Sequence, residues 1–117
     1  MRIRDLFQTL EPAELPPVKL GDLIVNLFRN ALFIEKEGVS KKFYPVEYKN
    51  GDKWTIGVFE VYETSDCDGN FIFFYFYNTI DEAIESIPKD SYEVDMVDEL
   101  ALLYHIYLYN KQKEKED

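Results

Sequence analysis

The sequence is poor in the side chains that most enzymes use for chemistry. Its 117 residues include one cysteine, Cys67, and one histidine, His105. A lone cysteine cannot form an internal disulfide. One cysteine and one histidine together are too few ligands for a zinc site. The chain also has no phosphate-binding glycine loop and no serine in the strand-to-helix turn typical of hydrolases. We therefore expect a protein that is not an enzyme and that uses no cofactor and no metal.

Long apolar runs are also absent. No stretch approaches the roughly 20 consecutive apolar residues that a membrane-spanning helix needs. The first residues, Met-Arg-Ile-Arg-Asp, lack the apolar segment of a signal peptide. We therefore expect a cytoplasmic protein that makes no contact with membranes. Abundant glutamate and lysine beside few cysteines and methionines are typical of thermophilic sources.

Residues 65–70, Ser-Asp-Cys-Asp-Gly-Asn, begin like a calcium-binding loop. The D-x-D-x-N spacing matches the opening of such a loop, but Phe71 and Tyr77 occupy the positions that require glycine and glutamate. The segment therefore predicts a polar hairpin turn and not a metal site.

Basic side chains are scarce in the second half of the chain. Residues 1–53 carry 9 basic and 8 acidic side chains, whereas residues 54–117 carry 4 basic and 15 acidic ones, and the net charge is −10. A field of that sign repels nucleic acid and anionic lipid and favours basic partners. An alternative is that the acidity only keeps an aromatic-rich protein in solution.

Aromatic and β-branched residues dominate the middle of the chain and predict strands. The segment from Trp54 to Tyr77 reads as two β-rich runs separated by a polar turn, and Asn50-Gly51 is a strong hairpin signal. We predict an α+β fold with a three-stranded antiparallel meander, in which the second strand lies in the middle and Pro45 marks the first as an edge strand. The predicted strands span about 42–49, 53–63 and 70–77.

Helical periodicity surrounds this meander. A short helix over Arg2–Leu10 and a proline-rich segment form an N-terminal arm, residues 1–17, before a single domain over 18–111 and a disordered polar tail over 112–117. A second helix is predicted behind Asp22 as N-cap, and it ends either at Gly38 or near Phe33, in which case Phe33–Glu37 forms a strand. Its apolar residues at helical spacing are Leu20, Leu23, Ile24, Leu27, Phe28 and Ala31.

Two further helices follow the meander. Thr79 and Glu82 form a capping box that opens a short helix, and Asp90 with Glu93 repeats the pattern before a last helix over about 91–111. An alternative leaves Leu102–Tyr109 as a strand. In the last helix, the residues predicted to face the core are Val97, Leu100, Tyr104 and Tyr107.

The opposite side of the last helix, together with the acidic stretch before it, predicts a partner-binding surface, because apolar side chains beside steering charges are typical of protein recognition. The predicted surface consists of Asp81, Glu82, Glu85, Glu93, Asp95, Asp98, Glu99, Leu102, His105, Ile106 and Tyr109. We therefore expect an acidic, non-enzymatic interaction module that binds a basic protein and associates with itself. A specific version is an inhibitor, such as viruses encode, that mimics nucleic acid with its carboxylates.

A pocket between the aromatic sheet and its helices is the alternative, with Glu60, Trp54, Tyr62 and Tyr75 as candidate lining residues for a small molecule or a reaction. A carboxylate inside a strand needs a partner if it is buried. Direct nucleic-acid binding by the basic residues of the N-terminal half is disfavoured, because nearby acidic residues nearly cancel their charge.

Overall fold

The chain folds as an α+β domain in which helices pack on both faces of an antiparallel sheet. The structure is a computed structural model that describes residues 3–64, 70–77, 79–94 and 98–115. Within these residues the elements are α1 (Ile3–Gln8), β1 (Val18–Leu20), β2 (Leu23–Leu27), β3 (Ala31–Lys36), β4 (Val39–Asn50), β5 (Lys53–Thr64), β6 (Asn70–Phe76), α2 (Ile80–Ser86), β7 (Tyr92–Val94) and α3 (Glu99–Lys115).

Strand β4 lies at the centre of the sheet and is shared by three partners among the described residues. On one edge it pairs with β5 over its whole length, and β6 pairs with the far edge of β5. The other edge is divided, because β3 pairs with residues 39–43 and β2 pairs with residues 46–48. Strand β7 continues the branch of β3, and β1 continues the branch of β2. The sheet therefore forks on one side of β4.

The predicted meander is one part of this sheet. Strands β4, β5 and β6 are antiparallel neighbours with β5 in the middle, but four further strands extend the sheet beyond β4. The prediction that Pro45 marks an edge strand is wrong. Pro45 lies between the ladders to β2 and β3, where β4 has no ladder partner on that side. A proline is tolerated at such a break, because the backbone N–H that it lacks is not needed there.

The helix predicted behind Asp22 is wrong, since residues of this segment form β2 and β3. The segment also contains a two-residue alternation of apolar residues, Leu23, Val25 and Leu27, which is typical of a strand. Val25 and Leu27 are buried and point to one face of the sheet, whereas Ile24 points away and is 55% exposed. Pairing with β4 satisfies the backbone hydrogen bonds of this segment in the extended conformation. Long-range contacts of this kind can override the helix propensity of a segment.

A two-residue bulge separates β2 from β3. Leu27 pairs with Val46, and Leu32 pairs with Phe43. The two paired residues are therefore five positions apart in the β2–β3 segment but only three positions apart in β4. The extra residues leave the ladder and bend the strand, as β-bulges do.

The N-terminal arm is bound to this bulge. Ala13 N donates to Leu27 O at 2.9 Å, and Arg29 N donates to Glu11 O at 2.8 Å. The buried side chain of Asn30 accepts from Glu11 N at 2.9 Å through Oδ1 and donates to Glu93 Oε1 at 3.1 Å through Nδ2. One amide therefore connects the arm, the bulge and the strand β7.

Two hydrophobic clusters cover the two faces of the sheet. Helix α3 packs on one face, in a cluster that includes Tyr44, Val46, Tyr48, Phe59, Val61, Leu102 and Ile106. Helices α1 and α2 pack on the other face, in a cluster that includes Leu6, Phe7, Leu32, Phe43, Val58, Ala83 and Ile87. Helices α2 and α3 therefore lie on opposite sides of the sheet.

Helices α2 and α3 each begin directly after a residue whose side chain caps the first turn. The start of α2 was predicted correctly, whereas the start of α3 was predicted at the wrong residues. The Thr79 cap is confirmed, since its Oγ1 accepts from Glu82 N at 3.2 Å. The last helix does not begin near residue 91. It begins at Glu99, where Asp98 Oδ1 accepts from Ala101 N at 3.2 Å. Asp90 instead forms an ion pair with Lys36, and the strand β7 follows it. The prediction that Leu102–Tyr109 is helical is confirmed.

The aromatic ring of Phe74 packs closely against Gly57. A Cβ atom at this residue would lie 2.6 Å from Cζ of Phe74 and 3.2 Å from Cε1 of Tyr48. The two rings meet edge to face at a centroid distance of 5.9 Å, so neither can move freely. Gly57→Ala is expected to lower the free energy of unfolding by about 1–3 kcal/mol, the usual cost of overpacking. Urea unfolding measures it.

A double-mutant cycle identifies the cause. If the added methyl group collides with the Phe74 ring, Gly57→Ala will cost less in a Phe74→Leu background than in the parent chain. Equal costs in both backgrounds would contradict the packing explanation.

Candidate functional site

The predicted apolar part of the partner-binding surface lies in the core. Leu102, His105 and Ile106 are at most 5% exposed, and Leu102 and Ile106 belong to the cluster beneath α3. Tyr109 is partly buried, and its ring meets that of Phe59 edge to face at a centroid distance of 5.9 Å. These side chains attach α3 to the sheet. In this fold, Leu102, His105 and Ile106 cannot also form a contact surface.

The opposite side of α3 faces outward. Leu100, Tyr104 and Tyr107 are 80%, 57% and 54% exposed, and their i, i+4, i+7 spacing places them on one side of the helix. We call these three residues the α3 outer stripe. They were predicted to face the core together with Val97, which lies outside the described residues, and for these three residues the prediction is wrong. The Nζ atom of Lys111 lies 5.7 Å from the ring centroid of Tyr107, which extends the stripe by a cation–π contact.

The predicted acidic residues are divided between two sides of the sheet. Asp81, Glu82 and Glu85 are exposed on α2, and Asp81 forms an ion pair with Arg4 at 2.7 Å. Asp98 and Glu99 are exposed at the start of α3, on the opposite side.

Two predicted acidic residues contribute to neither group. Glu93 is partly buried and holds the amide of Asn30, and Asp95 lies outside the described residues. The structure therefore does not join the acidic residues into one surface. Among the predicted acidic residues that the structure describes, Asp98 and Glu99 are the two that directly precede an exposed apolar residue of α3, Leu100.

Glu60 is a buried carboxyl group on the face of the sheet that α1 and α2 cover. It is 5% exposed, and its Oε2 atom accepts a long hydrogen bond, 3.5 Å, from the Tyr62 hydroxyl. Burial raises the pKa of Glu60 from 4.5 to about 7, against the opposing effects of the Lys41 ammonium and the Tyr62 hydrogen bond. Because burial deprives the carboxylate of its water, folding shifts Glu60 toward the protonated form relative to the unfolded chain.

The groups around Glu60 are mostly phenols. Burial, followed by the nearby Glu60 carboxyl, raises the pKa of Tyr62 to about 12, and burial raises the pKa of Tyr77. The Nζ atom of Lys41 lies 4.7 Å from the ring centroid of Tyr62. Trp54, on the same strand, is 53% exposed. This cluster can donate a proton to, or accept one from, a neighbouring group, but among the described residues it contains no second carboxyl or histidine to complete a general acid–base pair.

A cavity of about 620 Å³ lies elsewhere, between the β1–β2 turn and the end of α3. Its apolar lining consists of Leu20, Leu23, Phe74 and Tyr109. Its charged lining consists of Lys19, Asp22, Lys113 and Glu114. Volumes between about 300 and 1,000 Å³ are typical of sites for small ligands.

Sequence reasoning missed this cavity, although one signal of it was present. Gly21-Asp22 between apolar runs is a two-residue hairpin turn signal, and Gly21 has the positive φ of 62° that such turns use. The partner of the turn, Asn110, lies 89 residues away and has no local signal.

The described residues contain no group of three or more side chains suited to hold a metal ion. Among the same residues, no helix is both long and apolar enough to cross a membrane. Residues 65–69, which include Cys67 and most of the predicted polar turn, lie outside the described part of the chain.

No family model, curated protein or solved structure matches this chain.

Proposed function

We propose that this protein is a non-enzymatic interaction domain that binds a basic protein surface through the α3 outer stripe. The exposure of Leu100, Tyr104 and Tyr107 on a helix whose other side is buried carries the proposal. Apolar residues at this spacing are how a helix enters a groove of a partner. Tyrosine is also among the residues that contribute most to binding energy at interfaces, since it buries a large ring with few rotatable bonds.

Charge supports a basic partner. Asp98 and Glu99 are exposed beside the stripe, and the whole chain carries a net charge of −10. Opposite charges raise the rate of encounter and help to orient the partner. Two copies of this chain repel each other at long range, which favours a basic protein over self-association. The most specific version is an inhibitor whose carboxylates take the place of nucleic-acid phosphates on its target.

Affinity capture with matched variants tests the proposal. The wild-type protein, Tyr104→Ser/Tyr107→Ser and Ile80→Ser are each immobilised and exposed to extract of the native host at 0.1 M and 0.5 M salt. Ile80 is a suitable control because it is 46% exposed on the opposite side of the sheet. We expect a basic protein that wild type and Ile80→Ser retain at low salt and release at high salt, as screening requires. For that protein, the tyrosine variant should bind roughly 10- to 100-fold more weakly.

Two results would contradict the proposal. The first is that Tyr104→Ser/Tyr107→Ser retains the basic protein as well as the wild-type protein does. The second is a stable homodimer, seen by light scattering, that the tyrosine variant dissociates, because a second copy would then occupy the α3 outer stripe.

A further inference from the structure

We infer that the cavity between the β1–β2 turn and the end of α3 binds a short aromatic peptide with free amino and carboxyl ends. None of its lining residues belongs to the α3 outer stripe, so the inference is independent of the proposed interaction. Three properties of the cavity lead to this ligand: a fixed shape, aromatic walls and charges of both signs at its rim.

The shape of the cavity is fixed by Asn110. Its Oδ1 atom accepts from Gly21 N at 2.7 Å, and its Nδ2 atom donates to Lys19 O at 3.0 Å. The side-chain amide therefore binds strand β1 and the first residue of the β1–β2 turn, and it attaches both to the helix. A ligand would not have to order this turn on binding, and pre-organisation of this kind favours affinity.

The walls are aromatic rings that are held from behind. Tyr109 packs edge to face on the buried Phe59, and its Cε1 atom lies 3.7 Å from where a Cβ atom of Gly21 would be. Phe74 is held between Tyr48 and the backbone of Gly57. Two fixed rings at one cavity favour a ligand with aromatic side chains, because such rings pair by edge-to-face or offset stacking.

The rim carries charges of both signs in equal number. Lys19 and Lys113 are exposed, as are Asp22 and Glu114, and Lys113 Nζ lies 5.6 Å from the ring centroid of Tyr109. A ligand of one sign would meet as many repelling charges as attracting ones. A zwitterion can place its carboxylate near the lysines and its ammonium near the carboxylates, with charge-assisted hydrogen bonds to each.

Three forms of one dipeptide test the inference. Phe-Phe with free ends, N-acetyl-Phe-Phe and Phe-Phe amide are titrated into the full chain, with calorimetry for affinity and amide chemical shifts for location. We expect saturable binding of the free form, with shifts at the Gly21 backbone amide and the Asn110 side chain. Each blocked form should bind roughly tenfold more weakly, since it lacks one charged hydrogen-bonding group.

Variants of the lining give matched controls. Leu23→Trp fills the cavity and should abolish binding, whereas Ile24→Trp, on the exposed side of the same strand, should not. Asp22→Asn/Glu114→Gln changes only exposed side chains, so folding is not at risk. This variant should bind N-acetyl-Phe-Phe as tightly as Phe-Phe.

Three outcomes would overturn the inference. One is the absence of shifts at Gly21 and Asn110 with all three dipeptides. Another is equal affinity of wild type for the free form and either blocked form. The third is an unchanged preference for the free form over the N-acetyl form in Asp22→Asn/Glu114→Gln.

Discussion

Leu102→Ala is expected to lower the free energy of unfolding by about 2–5 kcal/mol, the usual cost of removing a buried leucine side chain. Leu102 is 1% exposed and packs in the cluster between α3 and the sheet. The substitution leaves a cavity that rigid neighbours such as Phe59 and Val61 cannot close, because both are completely buried themselves.

Leu100→Ala is the matched control, since the same residue type occurs two positions earlier on the same helix. Leu100 is 80% exposed, and truncation of an exposed side chain is expected to change stability by less than about 0.5 kcal/mol. Urea unfolding of both variants, followed by circular dichroism, measures the difference. A larger loss in Leu100→Ala than in Leu102→Ala would show that α3 packs with its other side on the sheet.

Glu60→Gln is expected to stabilise the protein by up to about 3 kcal/mol at pH 8 and to have little effect at pH 4. Because burial raises the pKa of Glu60 from 4.5 to about 7, folding favours the protonated carboxyl. The penalty for the ionised form is absent below pH 4.5, grows between pH 4.5 and pH 7, and is complete above pH 7. Each unit of pKa difference corresponds to about 1.4 kcal/mol, so the figure is an upper estimate.

Glutamine is suitable because it is neutral, matches glutamate in shape and can still accept the hydrogen bond from the Tyr62 hydroxyl. Urea unfolding at pH 4, 6 and 8 measures the stability difference between variant and wild type, in which the titration of all other groups cancels. Glu35→Gln, which makes the same change at an exposed residue of β3, is the matched control. A Glu60→Gln difference that is the same at all three pH values would contradict a buried, protonated carboxyl group.

The parts of the fold that local sequence signals determine were predictable. The hairpin indicated by Asn50-Gly51 forms, although its two turn residues are Gly51 and Asp52 because Asn50 pairs with Lys53, and the hydroxyl of Thr79 caps α2. Both signals act within four residues, so a single sequence contains all the information needed to predict them.

The parts that depend on distant partners were not predictable in the same way. Residues of the segment predicted as a helix behind Asp22 form strands because they pair with β4, and the segment contains both apolar residues at helical spacing and a two-residue alternation over Leu23, Val25 and Leu27. The last helix was predicted to begin about eight residues too early, because Asp90 with Glu93 resembles a helix start and Asp98 was not recognised as the cap.

The candidate sites show the same limit. Nine of the ten residues from Leu100 to Tyr109 are apolar or aromatic, so no periodicity distinguishes the buried side of α3 from the exposed one. Only the packing of Leu102 and Ile106 on the sheet makes the distinction. The cavity depends on Asn110 reaching the β1–β2 turn, a contact that no local pattern encodes.

The contact of Asn110 with Lys19 and Gly21 has a consequence for biosynthesis. The bonded groups are 89 and 91 residues apart, so the first hairpin leaves the ribosome long before the helix that holds it exists. Loop closure over such separations slows folding relative to that of proteins with local contacts. Because Phe59 and Val61 of β5 pack in the same cluster as Leu102 and Ile106, this apolar face of the sheet stays uncovered in the nascent chain until α3 has been translated.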